Sequence, residues 1–381
     1  MLAGEKTPEN MELSMEPTFI EHYVNRLVKY LDEVDYHEPS PAQTRELRSN
    51  YEAVYENSLR VFAQPSVQQL LSLDLGTTKK VTRTISRMAV TCWPNVPLEV
   101  MKAIAIHFSM CHLLDDFEGD YHEQMATFLP DLLRGTEQKN PCWRMLVDEM
   151  QNLLRHFDSY LQYGIFRATI DYYQSCWTEA HGFQGDKGCD RYPVELRRQG
   201  GLGGCMGSFM FPRSMVSQNG MIADITSAVV HTEWCGIYIN DLFSFYKESV
   251  AANRYGPWDN INLVMNLCHV RGLSMKDGFD QIVVDAIHTV QKTREVFDGS
   301  HAAVAECGVH AFLHGYTQWH FCDGRYRMRE LYEQSYDFVN GGRFREYCEK
   351  AWEAGGVDLD QAMFADVEKR VWDGRRANGS L

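Results

Sequence analysis

The chain lacks an apolar run long enough to cross a bilayer. Its longest apolar stretch, "ITSAVVHTEWCGIYI", is interrupted by His231 and Glu233 and falls short of the roughly 20 residues a membrane helix needs. No secretory or transit signal is expected either: the first twenty residues carry four Glu and no basic segment followed by an apolar core. No stable membrane insertion is therefore expected, and the chain reads as cytoplasmic. Basic patches are missing too. With 52 acidic against 37 basic residues the net charge is −15, and the densest basic clusters, "ELRRQ" and "GRYRMRE", are short, which argues against a nucleic-acid partner. The eleven cysteines contain no CxxC pair, so neither a disulfide framework nor a cysteine zinc site is indicated, and most are expected to be buried thiols.

Strand-like alternation of apolar and polar residues is scarce. Helical spacing is present almost everywhere: Ile20, Val24, Leu27, Val28, Leu31; Val81, Ile85, Met88, Cys92; Ile104, Phe108, Cys111, Leu114. Ser40 before Pro41, and Pro97, supply helix starts. The fold class is all-α, with ten or more helices. Linkers such as "DLGTTKK" and "RGTEQKNP" are short and polar and mark no domain boundary, so residues 18–355 read as one domain. Residues 1–17 are expected to be disordered, and 356–381 to form a peripheral C-terminal segment. "AIAIHFSMCHLL" and "DITSAVVHTEWCGIYIN" are apolar nearly all round and belong at the centre.

Each of these central helices ends in a cluster of oxygen ligands. "HLLDDFEGD" places Asp115, Asp116, Glu118 and Asp120 directly behind a buried run. Clustered carboxylates repel, and are stable when they face water or when a divalent cation neutralises them; magnesium suits them best. That segment alone fits a solvated helix end equally well. In "NDLFSFYKE", Asn240, Ser244 and Glu248 are four apart, so each steps only about 40° around a helix and the three share one stripe. An amide, a hydroxyl and a carboxylate on one stripe make an all-oxygen magnesium site. His107 and His112 lie nearby, but His107 stands two turns before Asp115, too far to share a metal with it, and reads as core. "GLGGCMG" is not a dinucleotide fingerprint, because Met206 takes the third glycine position and no strand precedes it; a helix break is its expected use.

"DDFEGD" resembles the aspartate-rich motif of class I terpene synthases, and "NDLFSFYKE" matches their second metal motif in full, about 125 residues further on. "FAQPSVQQLLSLD", "YPVELRRQGGLGGC" and "HGYTQWHFCDGRYRMRELYE" are similar, in order and spacing, to segments of the fungal trichodiene synthases, a family of sesquiterpene cyclases. The resemblance implies a single helical bundle around a central cavity, often a homodimer, that uses three Mg2+ ions to ionise farnesyl diphosphate. By position, Asp115 would ligate two ions and Asn240, Ser244 and Glu248 the third. Arg197, Lys247, Arg325 and Tyr326 would bind the diphosphate, and Phe108, Tyr172 and Trp319 would line the cavity. One departure stands out: the motif's fifth position is Gly119, between Glu118 and Asp120, which leaves open which of Asp116, Glu118 and Asp120 assists Asp115.

The resulting expectation is a magnesium-dependent lyase that cyclises farnesyl diphosphate through a bisabolyl-type cation to a cyclic sesquiterpene, a trichodiene-like hydrocarbon or a related alcohol. A chain-elongating prenyltransferase is the enzyme alternative, but it would need two aspartate-rich motifs. A degenerate homologue that binds diphosphate without turnover is the non-enzyme alternative, motivated by Gly119.

Overall fold

Proline and short polar caps open the helices where the sequence places them. Ser40 closes a capping box on the helix Pro41–Phe62: its backbone N–H donates to Gln43 Oε1 at 2.9 Å, and Gln43 N–H donates to Ser40 Oγ. Asp74 caps Leu75–Cys92 through Thr77 N–H at 2.9 Å. The computed structural model describes residues 17–115, 121–180, 185–255, 262–298, 304 and 308–377. Every regular element among the described residues is a helix.

The two segments that are apolar all round form Leu98–Asp115 and Ile222–Tyr255, and both are central. Leu98–Asp115 packs against Leu75–Cys92, which also lies against His310–Cys322. Contact there is close enough to require glycine: a Cβ on Gly315 would sit 1.8 Å from the Thr91 carbonyl oxygen. The glycine run does break a helix. Arg191–Gly200 ends, Leu202 adopts a left-handed φ of 50°, and the short helix Gly203–Ser208 follows. Gly207 then lets that short helix press on Ile222–Tyr255, since a Cβ there would lie 2.6 Å from Val229 Cα.

The outer helices are tied on by ion pairs. Asp280 of Met275–Phe297 accepts from Arg26 at 2.7 and 2.9 Å and meets His22 at 2.7 Å, fastening Pro17–Glu33. The C-terminal helix Asp360–Ala377 lies against Pro41–Phe62 and buries Met363, Phe364, Val367 and Val371. At its start Asp360 is buried against Arg87. Of the ten described cysteines seven are buried, and all ten are free thiols. No described helix is long and apolar enough to cross a membrane.

Candidate active site

Ile222–Tyr255 carries the centre of the site, because its second half turns "NDLFSFYKE" toward the place where Arg191–Gly200 breaks and His310–Cys322 ends. Asn240, Asp241, Lys247 and Glu248 line one cleft of about 140 Å³ together with Arg197, Gly200 and Gly201 at the break, and Tyr316, Trp319, Arg325 and Tyr326 beyond it. Tyr172, from Ser159–Ala180, closes a side. Segments widely separated in sequence thus converge on one polar mouth above an aromatic wall.

Arg197 is 7% exposed and is held by its own counter-ion. Its Nε donates to both carboxylate oxygens of Asp241, at 2.7 and 3.0 Å, and its Nη2 donates to Asn240 Oδ1 at 2.7 Å. Burial opposes the guanidinium charge, but Asp241 more than offsets this and holds its pKa above the ordinary arginine range. Asp241 also accepts from the backbone N–H of Leu263 at 3.3 Å.

Glu248 is gripped at both oxygens: Lys247 Nζ lies 3.0 Å from Oε1, and Asn262 Nδ2 donates to Oε2 at 2.6 Å. Burial works against its ionised form, yet Lys247 and Asn262 together hold its pKa below the usual carboxylate range. Ser244, one turn earlier on the same stripe, is 1% exposed, and its Oγ has no hydrogen-bond partner among the described residues. An orphaned hydroxyl between an amide oxygen and a carboxylate suits a hard, oxygen-seeking cation, so the residues present fit Mg2+.

On the opposite wall, the buried Tyr326 hydroxyl accepts from Asn240 Nδ2 at 3.4 Å, and Lys247 Nζ stands 5.9 Å from the Tyr326 ring centroid. Trp319 stacks on Tyr316 at 5.6 Å and meets the edge of Tyr326 at 5.1 Å. Its indole N–H donates to the Thr84 carbonyl at 3.1 Å.

The sequence-derived residues therefore divide. Arg197, Asn240, Lys247, Glu248, Arg325, Tyr326, Tyr172 and Trp319 share the cleft. Ser244 is buried and is not among the residues lining this cleft. Phe108 packs between Trp93, at 5.9 Å, and Phe209, at 5.5 Å, and is not among the residues bounding this cleft. Asp115 ends the helix Leu98–Asp115, with its side chain outside the described set, and Asp116, Glu118 and Asp120 lie outside the described residues altogether.

Sequence reasoning missed Asp241, Asn262, His112 and His320. Asp241 sat inside the quoted motif, next to Asn240. His112 stands beside the carboxylate cluster in the sequence but carries no assigned role there, and nothing in the sequence marks Asn262 or His320, whose roles come from packing between segments. His112 lines the cleft, and burial together with Arg325 lowers its pKa to about 3. His107, read as core, is fully buried against Thr169, at 3.1 Å.

The model of the trichodiene synthase (TRI5) family matches residues 18–378. Trichodiene synthase of Stachybotrys chartarum is 32% identical over 360 residues, covering 94% of this chain and 92% of its own. Terpene cyclase pbrA of Penicillium brasilianum is 33% identical over 342 residues, covering 89% and 82%. Among solved structures, germacradien-4-ol synthase of Streptomyces citricolor superposes with a TM-score of 0.53 at 18% identity, over 75% of this chain and 95% of that one. Linalool/nerolidol synthase of Streptomyces clavuligerus superposes at 0.52 with 14% identity, over 75% and 98%. The chain thus belongs to the trichodiene synthase family, has the all-α fold of class I terpene synthases, and is a terpene cyclase.

Proposed function

We propose that this cyclase takes farnesyl diphosphate, ionises it with Mg2+, and closes the released chain through a bisabolyl-type cation to a cyclic sesquiterpene, either a trichodiene-like hydrocarbon or a related alcohol, releasing diphosphate. The observation that carries this reading is the pairing, across one cleft, of oxygen ligands on a single helical stripe with Arg197, Lys247 and Arg325. Asn240, Ser244 and Glu248 would hold one ion, and Asp115 would ligate the remaining two. Bound magnesium spreads the negative charge of the leaving diphosphate.

The chain's own residues do the rest. Arg197 and Arg325 offer planar forks that match phosphate oxygens, and Lys247 offers a compact charge that exchanges Glu248 for the ligand. The cleft is smaller than the roughly 300–1,000 Å³ of typical ligand sites, so its described walls account for the diphosphate end. Behind them Tyr316, Trp319 and Tyr326 present aromatic faces that stabilise a carbocation without supplying a nucleophile to trap it. A homodimer belongs to the same reading, and light scattering on the purified chain tests it.

The metal assignment is tested by Asn240→Ala and Glu248→Gln. Each should raise the magnesium concentration for half-maximal turnover by about tenfold or more while circular dichroism stays native. Unchanged kinetics at limiting magnesium would remove this stripe from the mechanism.

A further inference from the structure

Of the three residues on the metal stripe, only Asn240 has a side chain with two chemically different ends of nearly equal size. Its oxygen can ligate a cation, and its NH2 group cannot. Something must decide which end faces the ligand.

Arg197 on the oxygen and His320 on the NH2 group, with the Tyr326 hydroxyl a longer acceptor at 3.4 Å, make that decision. His320 Nδ1 lies 2.7 Å from the carbonyl oxygen of Tyr316, an atom that only accepts, so Nδ1 carries the proton. A neutral imidazole has one N–H, which leaves Nε2 as a bare acceptor. The ring is fully buried, with an acceptor at Nδ1 and an NH2 donor at Nε2, an arrangement that suits the neutral imidazole and not the imidazolium. Nε2 in turn faces Asn240 Nδ2 at 3.2 Å.

From the other side Arg197 can only donate, and its Nη2 reaches Asn240 Oδ1 at 2.7 Å. The ring itself has little freedom: His320 is fully buried, edge-on to Tyr316 at 4.7 Å and to Trp319 at 4.9 Å, with Tyr326 at 4.2 Å.

We infer that His320 is a positioning residue for the cyclase: its bare Nε2 holds the NH2 end of Asn240 against the core and so commits the amide oxygen to the cleft as a cation ligand. This rests on the reading of Asn240 as a magnesium ligand. His320 is placed to touch neither substrate nor metal and to act through Asn240, as an outer hydrogen-bond partner that orients a ligand.

A double-mutant cycle read by magnesium binding tests it, because an aspartate at position 240 has two equivalent oxygens and needs no orienting partner. The readout is calorimetric titration of Mg2+ into the protein in the presence of inorganic diphosphate. His320→Leu should weaken magnesium binding about tenfold, the worth of one such hydrogen bond. Asn240→Asp alone should also weaken it, since a carboxylate oxygen then faces the bare Nε2. In the His320→Leu background, Asn240→Asp should instead restore binding to within about threefold of the native chain. The same factor for Asn240→Asp in both backgrounds would overturn the inference and make His320 ordinary core. If Asn240→Ala itself left magnesium binding unchanged, the metal reading beneath the inference would fall instead, so the two failures are distinguishable. A measurement on the native chain guards against misfolded variants: nitrogen-15 spectra of labelled histidine should show His320 protonated at Nδ1 and bare at Nε2. The opposite tautomer would overturn the inference without any substitution.

Discussion

Replacing Trp319 with leucine separates cavity wall from core packing, and its cost can be worked out from the contacts. Trp319 is 3% exposed, stacks on Tyr316, meets Tyr326 edge-on, and donates its indole N–H to the Thr84 carbonyl. Removing a buried aromatic of this size costs about 3 kcal/mol. With an unfolding entropy of roughly 2.1 cal/mol/K per residue over 381 residues, that lowers the melting midpoint by roughly 4 °C. A desolvated aromatic face contributes about 2 kcal/mol to a facing cation, so its loss should slow total turnover roughly 30-fold. The minor products should rise at the same time, because the cation is less tightly steered. Trp319→Phe keeps a ring and loses mainly the hydrogen bond to Thr84, worth about 1 kcal/mol, so its midpoint should fall by roughly 1 °C and its products should stay close to native. Thermal denaturation and gas chromatography of the extracts read both variants. A native product profile for Trp319→Leu, whatever its stability, would refute the reasoning and return Trp319 to the core.

Other consequences concern the scaffold. Arg87→Met leaves the buried Asp360 with only its longer pair to Arg48, at 3.4 Å, and should cost about 3 kcal/mol in urea unfolding, most of it recovered when Asp360→Leu is added; additive losses would show that the pair is not a unit. Burial opposes ionisation of Asp280, but its bonds to Arg26 and His22 outweigh that and hold its pKa below the ordinary aspartate value. Its contribution is therefore fully present above the unfolded carboxylate value of about 3.9 and fades as the pH falls through the lower folded value. Acid unfolding should accordingly be shallower in Asp280→Asn, and an identical acid limb would contradict the coupling. Gly207→Val should prevent native folding altogether, because even a Cβ meets the backbone of Val229; soluble, native-like protein would contradict that packing.

The helical class was legible because apolar residues recur with a period of 3.6, a pattern set by one helix's own geometry. That Asn240, Ser244 and Glu248 share one stripe was legible for the same reason, whereas Lys247 entered only through the family resemblance. Partners contributed by other segments were not legible. Asn262 grips Glu248 from the far side of a connection, and His320 reaches Asn240 across 80 residues of chain, distances to which local periodicity is blind. Periodicity also marks a side chain as buried without saying which buried surface it joins: Trp319 and Tyr172 line the cleft, while Phe108, read the same way, packs against Trp93 and Phe209. In the C-terminal segment, "AMFADVEKRVW" hides an apolar stripe of Met363, Phe364, Val367 and Val371 among charges, and only the groove of Pro41–Phe62 makes its burial visible.

The most direct measurement is incubation of the purified chain with farnesyl diphosphate and Mg2+, followed by gas chromatography and mass spectrometry, with geranyl and geranylgeranyl diphosphates in parallel. A cyclic fifteen-carbon product that disappears when the metal is chelated is the predicted result. No cyclic product from any of the three diphosphates would contradict it, and would leave a site that binds diphosphate without turning it over.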